Sequence, residues 1–83
     1  MLFGKKKRQI VRLLVVEDEP LVAFDTEYFL AEADFTIVAT IDRVAEALLI
    51  LSSDTVVDLV LVDVNLADGS GIDVARAAQA GGV

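Results

Sequence analysis

Three short aliphatic runs constrain this chain more than any other feature. They are RLLVV at Arg12–Val16, TIVAT at Thr36–Thr40 and LVLV at Leu59–Val62. Each is too short for a stable helix and rich in branched side chains. Successive residues of a strand point to opposite faces, so an unbroken apolar run reads as a strand covered on both sides. Strands of that kind belong to parallel sheets with helices packed on both faces.

The intervening segments supply those helices. Ile10 and Val11 lead into the first strand, and Glu17, Asp18 and Glu19 end it. Pro20 then suits the first turn of a helix. From Pro20 to about Ala33 the pattern is helical, with Val22, Thr26, Phe29, Leu30 and Ala33 on one expected inward face. Arg43–Leu51 reads as a second helix with Ala47, Leu48 and Leu51 inward, broken by Ser52, Ser53 and Asp54. Asp63–Gly71 reads as a loop in which Gly69 and Gly71 let the backbone turn tightly. Ile72–Ala80 reads as a third helix stopped by Gly81 and Gly82. The order β-α-β-α-β-α predicts one α/β domain with a parallel sheet and right-handed crossovers.

The ends of the strands carry the chemistry. Glu17 and Asp18 follow the first strand, and Asp63 follows the third. In a parallel sheet these ends point the same way. If the two strands are neighbours, their backbones lie roughly 5 Å apart. The strand order is then 2-1-3, and ligands of open α/β sheets bind outside the carboxyl ends at such a reversal. Three crowded carboxylates repel one another, and a hard divalent cation such as Mg²⁺ relieves the conflict while leaving room for a phosphate oxygen. Such a cluster can also present a carboxylate as a nucleophile. A calcium loop does not fit: DVNLADGSGIDV begins correctly, but Ala67, Asp68 and Val74 stand where a ligand, a glycine and a glutamate are needed. DGSG is too short for a phosphate-binding Walker loop.

Charge and composition narrow the partners. There are 14 acidic and 7 basic residues, and four of the bases are Lys5, Lys6, Lys7 and Arg8. Residues 1–9 therefore read as a basic N-terminal tail, and residues 10–83 as an acidic body that nucleic acid would repel. There is no cysteine and no histidine. That excludes disulfides, a Ser-His or Cys-His pair and a phosphohistidine on this chain. No apolar run is long enough to span a bilayer, and the first ten residues lack the apolar stretch of a secretory signal. A cytoplasmic location with no membrane partner is the expectation.

LLVVEDEPLV followed by DLVLVDVNLADGSGIDVA resembles the receiver domain of two-component response regulators, the chemotaxis-regulator-like type. The resemblance runs from Arg12 to about Ala80. It implies a flavodoxin-like fold and a phosphorelay role in signal transduction. By it, Asp63 is the phosphoacceptor that becomes an aspartyl phosphate. Asp18 and Asp63 bind Mg²⁺ through carboxylates, Glu17 supports the metal through water, and Asn65 offers its backbone carbonyl. The donor would be a sensor histidine kinase, a phosphotransfer protein or a small phosphodonor. The chain would not be an enzyme beyond Mg²⁺-dependent self-phosphorylation and dephosphorylation.

Family members have five strands and five helices. The pattern here is β1-α1-β2-α2-β3-α3, so residues 10–83 match the N-terminal part of a receiver and lack the last two β-α units. The threonine or serine and the lysine that the family places after its fourth and fifth strands have no counterpart, and the expectation is a truncated, switch-deficient receiver. The third strand would then be an edge although it is apolar on both faces, which invites pairing with another chain. Leu21, Phe24, Tyr28 and Ala31 form a second apolar stripe on the first helix. Both features predict a homo-oligomer, most simply a two-fold dimer, through Leu59 and Leu61 of the third strand or Leu21, Phe24 and Tyr28 of the first helix. The alternative function is a non-catalytic dimerisation or interaction module derived from a receiver.

Overall fold

The computed structural model describes residues 10–83, and the basic tail expected over residues 1–9 lies outside them. The elements run β1 (Arg12–Val16), α1 (Pro20–Glu32), β2 (Thr36–Ile41), α2 (Val44–Leu51), β3 (Leu59–Val62), β4 (Asn65–Leu66), β5 (Gly69–Ser70) and α3 (Gly71–Ala80). The three long strands form one sheet in the order β2-β1-β3. Both pairings are parallel, with Leu13 beside Ile37 and Leu59, and Val16 beside Ile41 and Val62. This is the α/β, flavodoxin-like arrangement expected from the alternation of short apolar runs and helices.

β1 is the buried centre. Its side chains alternate between two apolar layers. Leu14 and Val16 point into a cluster with Val44, Ala47, Leu66 and Val74, beneath α2 and α3. Leu13 and Val15 point the other way, against Leu30 of α1, with Phe35 and Ile37 packed alongside. The start of the sheet is tied by a reciprocal pair of bonds. The Arg12 N–H donates to Asp58 Oδ2 at 2.8 Å, and the Asp58 N–H donates to the Arg12 carbonyl at 2.8 Å.

Three local expectations are corrected. Of the expected inward stripe of α1, Thr26 and Leu30 do face inward but Val22, Phe29 and Ala33 are exposed; the face runs through Ala23, Thr26, Glu27 and Leu30. α1 is apolar around most of its circumference, so spacing alone does not select a face. Leu48 of α2 is likewise exposed, and Val44 and Ala47 are the buried positions. The loop Asp63–Gly71 is not irregular throughout, because β4 and β5 pair antiparallel within it.

α1 ends without a glycine. Asp34 takes φ 69°, the Asp34 N–H donates to Ala31 O and the Phe35 N–H donates to Leu30 O. This pair of bonds with an apolar Leu30–Phe35 contact is a Schellman stop, and aspartate tolerates the left-handed backbone better than most residues.

Candidate functional site

The sheet brings the three acids together by backbone pairing. The Asp63 N–H donates to the Val16 carbonyl at 3.0 Å, and the Glu17 N–H donates to the Ile41 carbonyl at 2.9 Å. The ladder thus continues one residue past each strand and fixes Asp63 beside Glu17. One carboxylate oxygen from each of Glu17, Asp18 and Asp63 lies within 4.8 Å of the others, and all three residues are half-buried. Glu17 Oε2 also accepts the Glu19 N–H at 3.1 Å, which folds its carboxylate back over the turn into α1. Among the described residues no lysine or arginine forms an ion pair with any of the three. Their mutual repulsion is thus met by no ion pair among the described residues.

The loop after Asp63 is shaped by two contacts. Gly71 opens α3 directly behind the acid. Its N–H donates to the Val64 carbonyl at 2.7 Å. A Cβ at Gly71 would overlap the Asp63 carbonyl oxygen and stand 2.9 Å from Val62 Cγ2. So Gly71 serves close approach and not the tight turn expected of it. Ser70 then caps α3, its Oγ accepting the Ile72 N–H at 3.1 Å. Asn65 is exposed on β4, opposite Ser70.

Asp68 is a residue that sequence reasoning missed. It sits at the tip of the β4–β5 hairpin, yet its carboxylate reaches α2. Oδ1 accepts the Val44 N–H at 2.7 Å and Oδ2 accepts the Ala45 N–H at 3.1 Å. α2 has no cap of its own, since Arg43 offers no side-chain bond there. The Val44 bond first, then the Ala45 bond, hold the Asp68 carboxyl below its ordinary value. The cap is therefore fully present above the usual aspartate pKa and is lost only as pH falls through the lowered one. DG before a helix signals a turn, and nothing in the spacing says that the aspartate caps a helix more than twenty residues upstream.

The donor set fits a hard cation. Three carboxylates at the mouth of the sheet, with open space on both sides, match the few protein oxygens and several waters that Mg²⁺ prefers. One hollow of about 210 Å³ is lined by Glu17, Asp63, Thr26 and Leu61. A second of about 330 Å³ is lined by Glu17, Asp18, Thr40, Asp42 and Glu46. Among the described residues no helix is long and apolar enough to cross a membrane.

Known proteins with this pattern are signalling proteins. The family model described as the response regulator receiver domain matches residues 13–81. The chain is 40% identical over 67 residues to the sensory transduction protein LytR of Staphylococcus haemolyticus, covering 80% of this chain and 26% of that protein. It is 37% identical over 62 residues to the phyllosphere-induced regulator PhyR of Methylorubrum extorquens, covering 74% of this chain and 23% of that protein. The chain thus spans about a quarter of the length of these relatives. Among solved structures, the MaeR response regulator bound to beryllium trifluoride superposes with a TM-score of 0.75 at 30% identity, covering 86% of this chain and 58% of that one. With its sheet order, its acid cluster and a family match over most of its length, the chain belongs to the response regulator receiver domain family.

Proposed function

We propose that this chain is a phosphoacceptor in two-component signalling, with Asp63 as the acceptor. The convergence of the Glu17, Asp18 and Asp63 carboxylates at the carboxyl ends of β1 and β3 carries this reading. Asp63 Oδ attacks phosphorus of a phosphohistidine on a sensor kinase or phosphotransfer protein, or of a small phosphodonor. The P–N or P–O bond breaks, the leaving atom keeps the electron pair, and an acyl phosphate forms on Asp63. Bound Mg²⁺ supplies charge neutralisation for the phosphoryl oxygens. Asp18 and Asp63 would hold it by carboxylate, Glu17 through water, and Asn65 by its backbone carbonyl. The ladder bond to Val16 keeps Asp63 aimed outward during attack. The relatives' descriptions as sensory and regulatory proteins, and a neighbour that binds beryllium trifluoride, support the reading. In it, the protein works in the cytoplasm and is not an enzyme in its own right.

The test is the intact mass of the folded protein after incubation with Mg²⁺ and acetyl phosphate, beside Asp63→Asn. One added phosphoryl group on the wild type and none on the variant is expected. An unchanged wild-type mass would sink the acceptor role.

A second reading concerns association. Leu59 and Leu61 of the edge strand β3 are 49% and 47% exposed. By register they share the α1 side of the sheet with Leu13 and Val15. On α1 itself Leu21, Phe24 and Tyr28 are exposed. We propose that these residues form a homodimer interface, which could serve signalling or act alone as an interaction module. Sedimentation velocity should show a dimer that Leu21→Ser, Phe24→Ser and Tyr28→Ser together convert to monomer. A wild type that is monomeric at high micromolar concentration would refute it.

A further inference from the structure

We infer that Asp68 is a positioning residue for the Asp63 site: by clamping the first turn of α2, it holds the loop that leaves Asp63 in the geometry the carboxylate cluster needs. The inference rests on the metal-binding reading above. The loop between Asp63 and Gly71 is anchored at three places. At its start, the Asp63 N–H is bound to Val16. At its end, the Gly71 N–H is bound to Val64, against the Asp63 carbonyl. At its tip, Asp68 grips Val44 and Ala45 with both oxygens. Next to that grip, Leu66 is buried with Val44 in the core layer that also holds Val16, and a Cβ at Gly69 would stand 3.3 Å from Val44 Cγ2.

The consequence is mechanical. α2 follows β2 closely, and β2 receives the Glu17 N–H through Ile41. Asp68 therefore connects the strand that carries Glu17 and Asp18, by way of β2 and α2, to the loop that carries Asn65. Without the clamp the hairpin tip is left to its two-residue strands and the packing of Leu66, with no polar tie to α2 among the described residues. The site would then have to be assembled on binding, and the ordering entropy would be charged to metal affinity.

The experiment is Mg²⁺ titration by calorimetry on the wild-type chain, Asp68→Ala, Asp68→Asn and Asp58→Ala, with hydrogen exchange of residues 64–70. Asp58→Ala is the matched control, because it also removes a side-chain bond to a backbone N–H but at the opposite end of the sheet. Asp68→Ala is expected to weaken Mg²⁺ binding about 5-fold, less than loss of a group bonded directly to a ligand, and to speed exchange in the loop. Asp68→Asn retains an acceptor oxygen and should lose less than about 3-fold. Asp58→Ala should leave affinity unchanged. Equal Mg²⁺ affinity in Asp68→Ala and Asp58→Ala would overturn the inference while leaving the metal reading intact. A wild type that binds no Mg²⁺ would overturn both. If Asp68→Ala does not fold, Asp68→Glu decides: it keeps the charge, but the extra methylene displaces the carboxylate and breaks its paired bonds to Val44 and Ala45. Weakened Mg²⁺ binding supports positioning, and unchanged binding refutes it.

Discussion

Gly71→Ala is expected to cost about 3 kcal/mol, the upper end of what overpacking a tight site does. The added methyl has nowhere to go. It would overlap the Asp63 carbonyl oxygen and crowd Val62 Cγ2 at 2.9 Å. Neither neighbour can yield cheaply, since Asp63 is held by its bond to Val16 and Val62 by its pairing with β1. α3 must therefore shift outward, and the acceptor loop with it. Urea denaturation of the wild type, Gly71→Ala and Gly81→Ala checks this. A Cβ at Gly81 makes only ordinary contacts, with the Ala77 carbonyl at 3.5 Å and the Ala78 carbonyl at 3.7 Å, so that variant should stay within about 0.5 kcal/mol of the wild type. Equal midpoints for Gly71→Ala and Gly81→Ala would mean that the approach of α3 to Asp63 is looser than described.

Leu14→Ala should be comparably severe for the opposite reason. Leu14 is 0% exposed at the centre of β1, between β2 and β3 and under α2 and α3. Truncation removes the transfer energy of the lost atoms and leaves a cavity that a strand paired on both sides cannot collapse. The expected loss is about 2–5 kcal/mol. A domain of this length has on the order of 5–10 kcal/mol to lose, so the denaturant midpoint should fall by about half. Leu49→Ala removes the same atoms from a position on α2 that is 69% exposed and should change stability by less than about 0.5 kcal/mol. A Leu14→Ala loss under 1 kcal/mol would show that the layer beneath α2 and α3 is not the close-packed core of this chain.

The parts of the fold that were legible in the sequence are those fixed by one strong local signal. LLVV is apolar at successive positions and is buried on both faces as such a run requires, while TIVAT and LVLV are short and branched or apolar and pair on either side of it, LVLV keeping Leu59 and Leu61 exposed. The acids at the ends of the first and third runs then required the order 2-1-3 to meet. The face of α1 was not legible, because Val22, Phe24, Phe29 and Leu30 put apolar groups all round the helix and only contact with Leu13 and Val15 selects one side. The Asp68 clamp was not legible either, since its partners are distant in sequence and its own neighbours signal only a turn. Gly71 could be read as special, but not why, because its backbone is unremarkable and the constraint comes from the Asp63 carbonyl in space.

The parallel sheet also dictates when the acid cluster can exist. β1 has no partner adjacent in sequence: Arg12 pairs with Thr36, and Leu13 with Leu59. Non-local pairings of this kind form late in folding, after their loop-closure entropy has been overcome. Glu17 and Asp18 are in place once β1 and β2 have joined, but Asp63 arrives only when β3 docks on the other edge. The pairing of β3 with β1 is thus the step that creates the three-carboxylate pocket. Any cation held there binds only the finished molecule and opposes the undocking of β3, so occupancy of the pocket and integrity of that edge of the sheet rise and fall together.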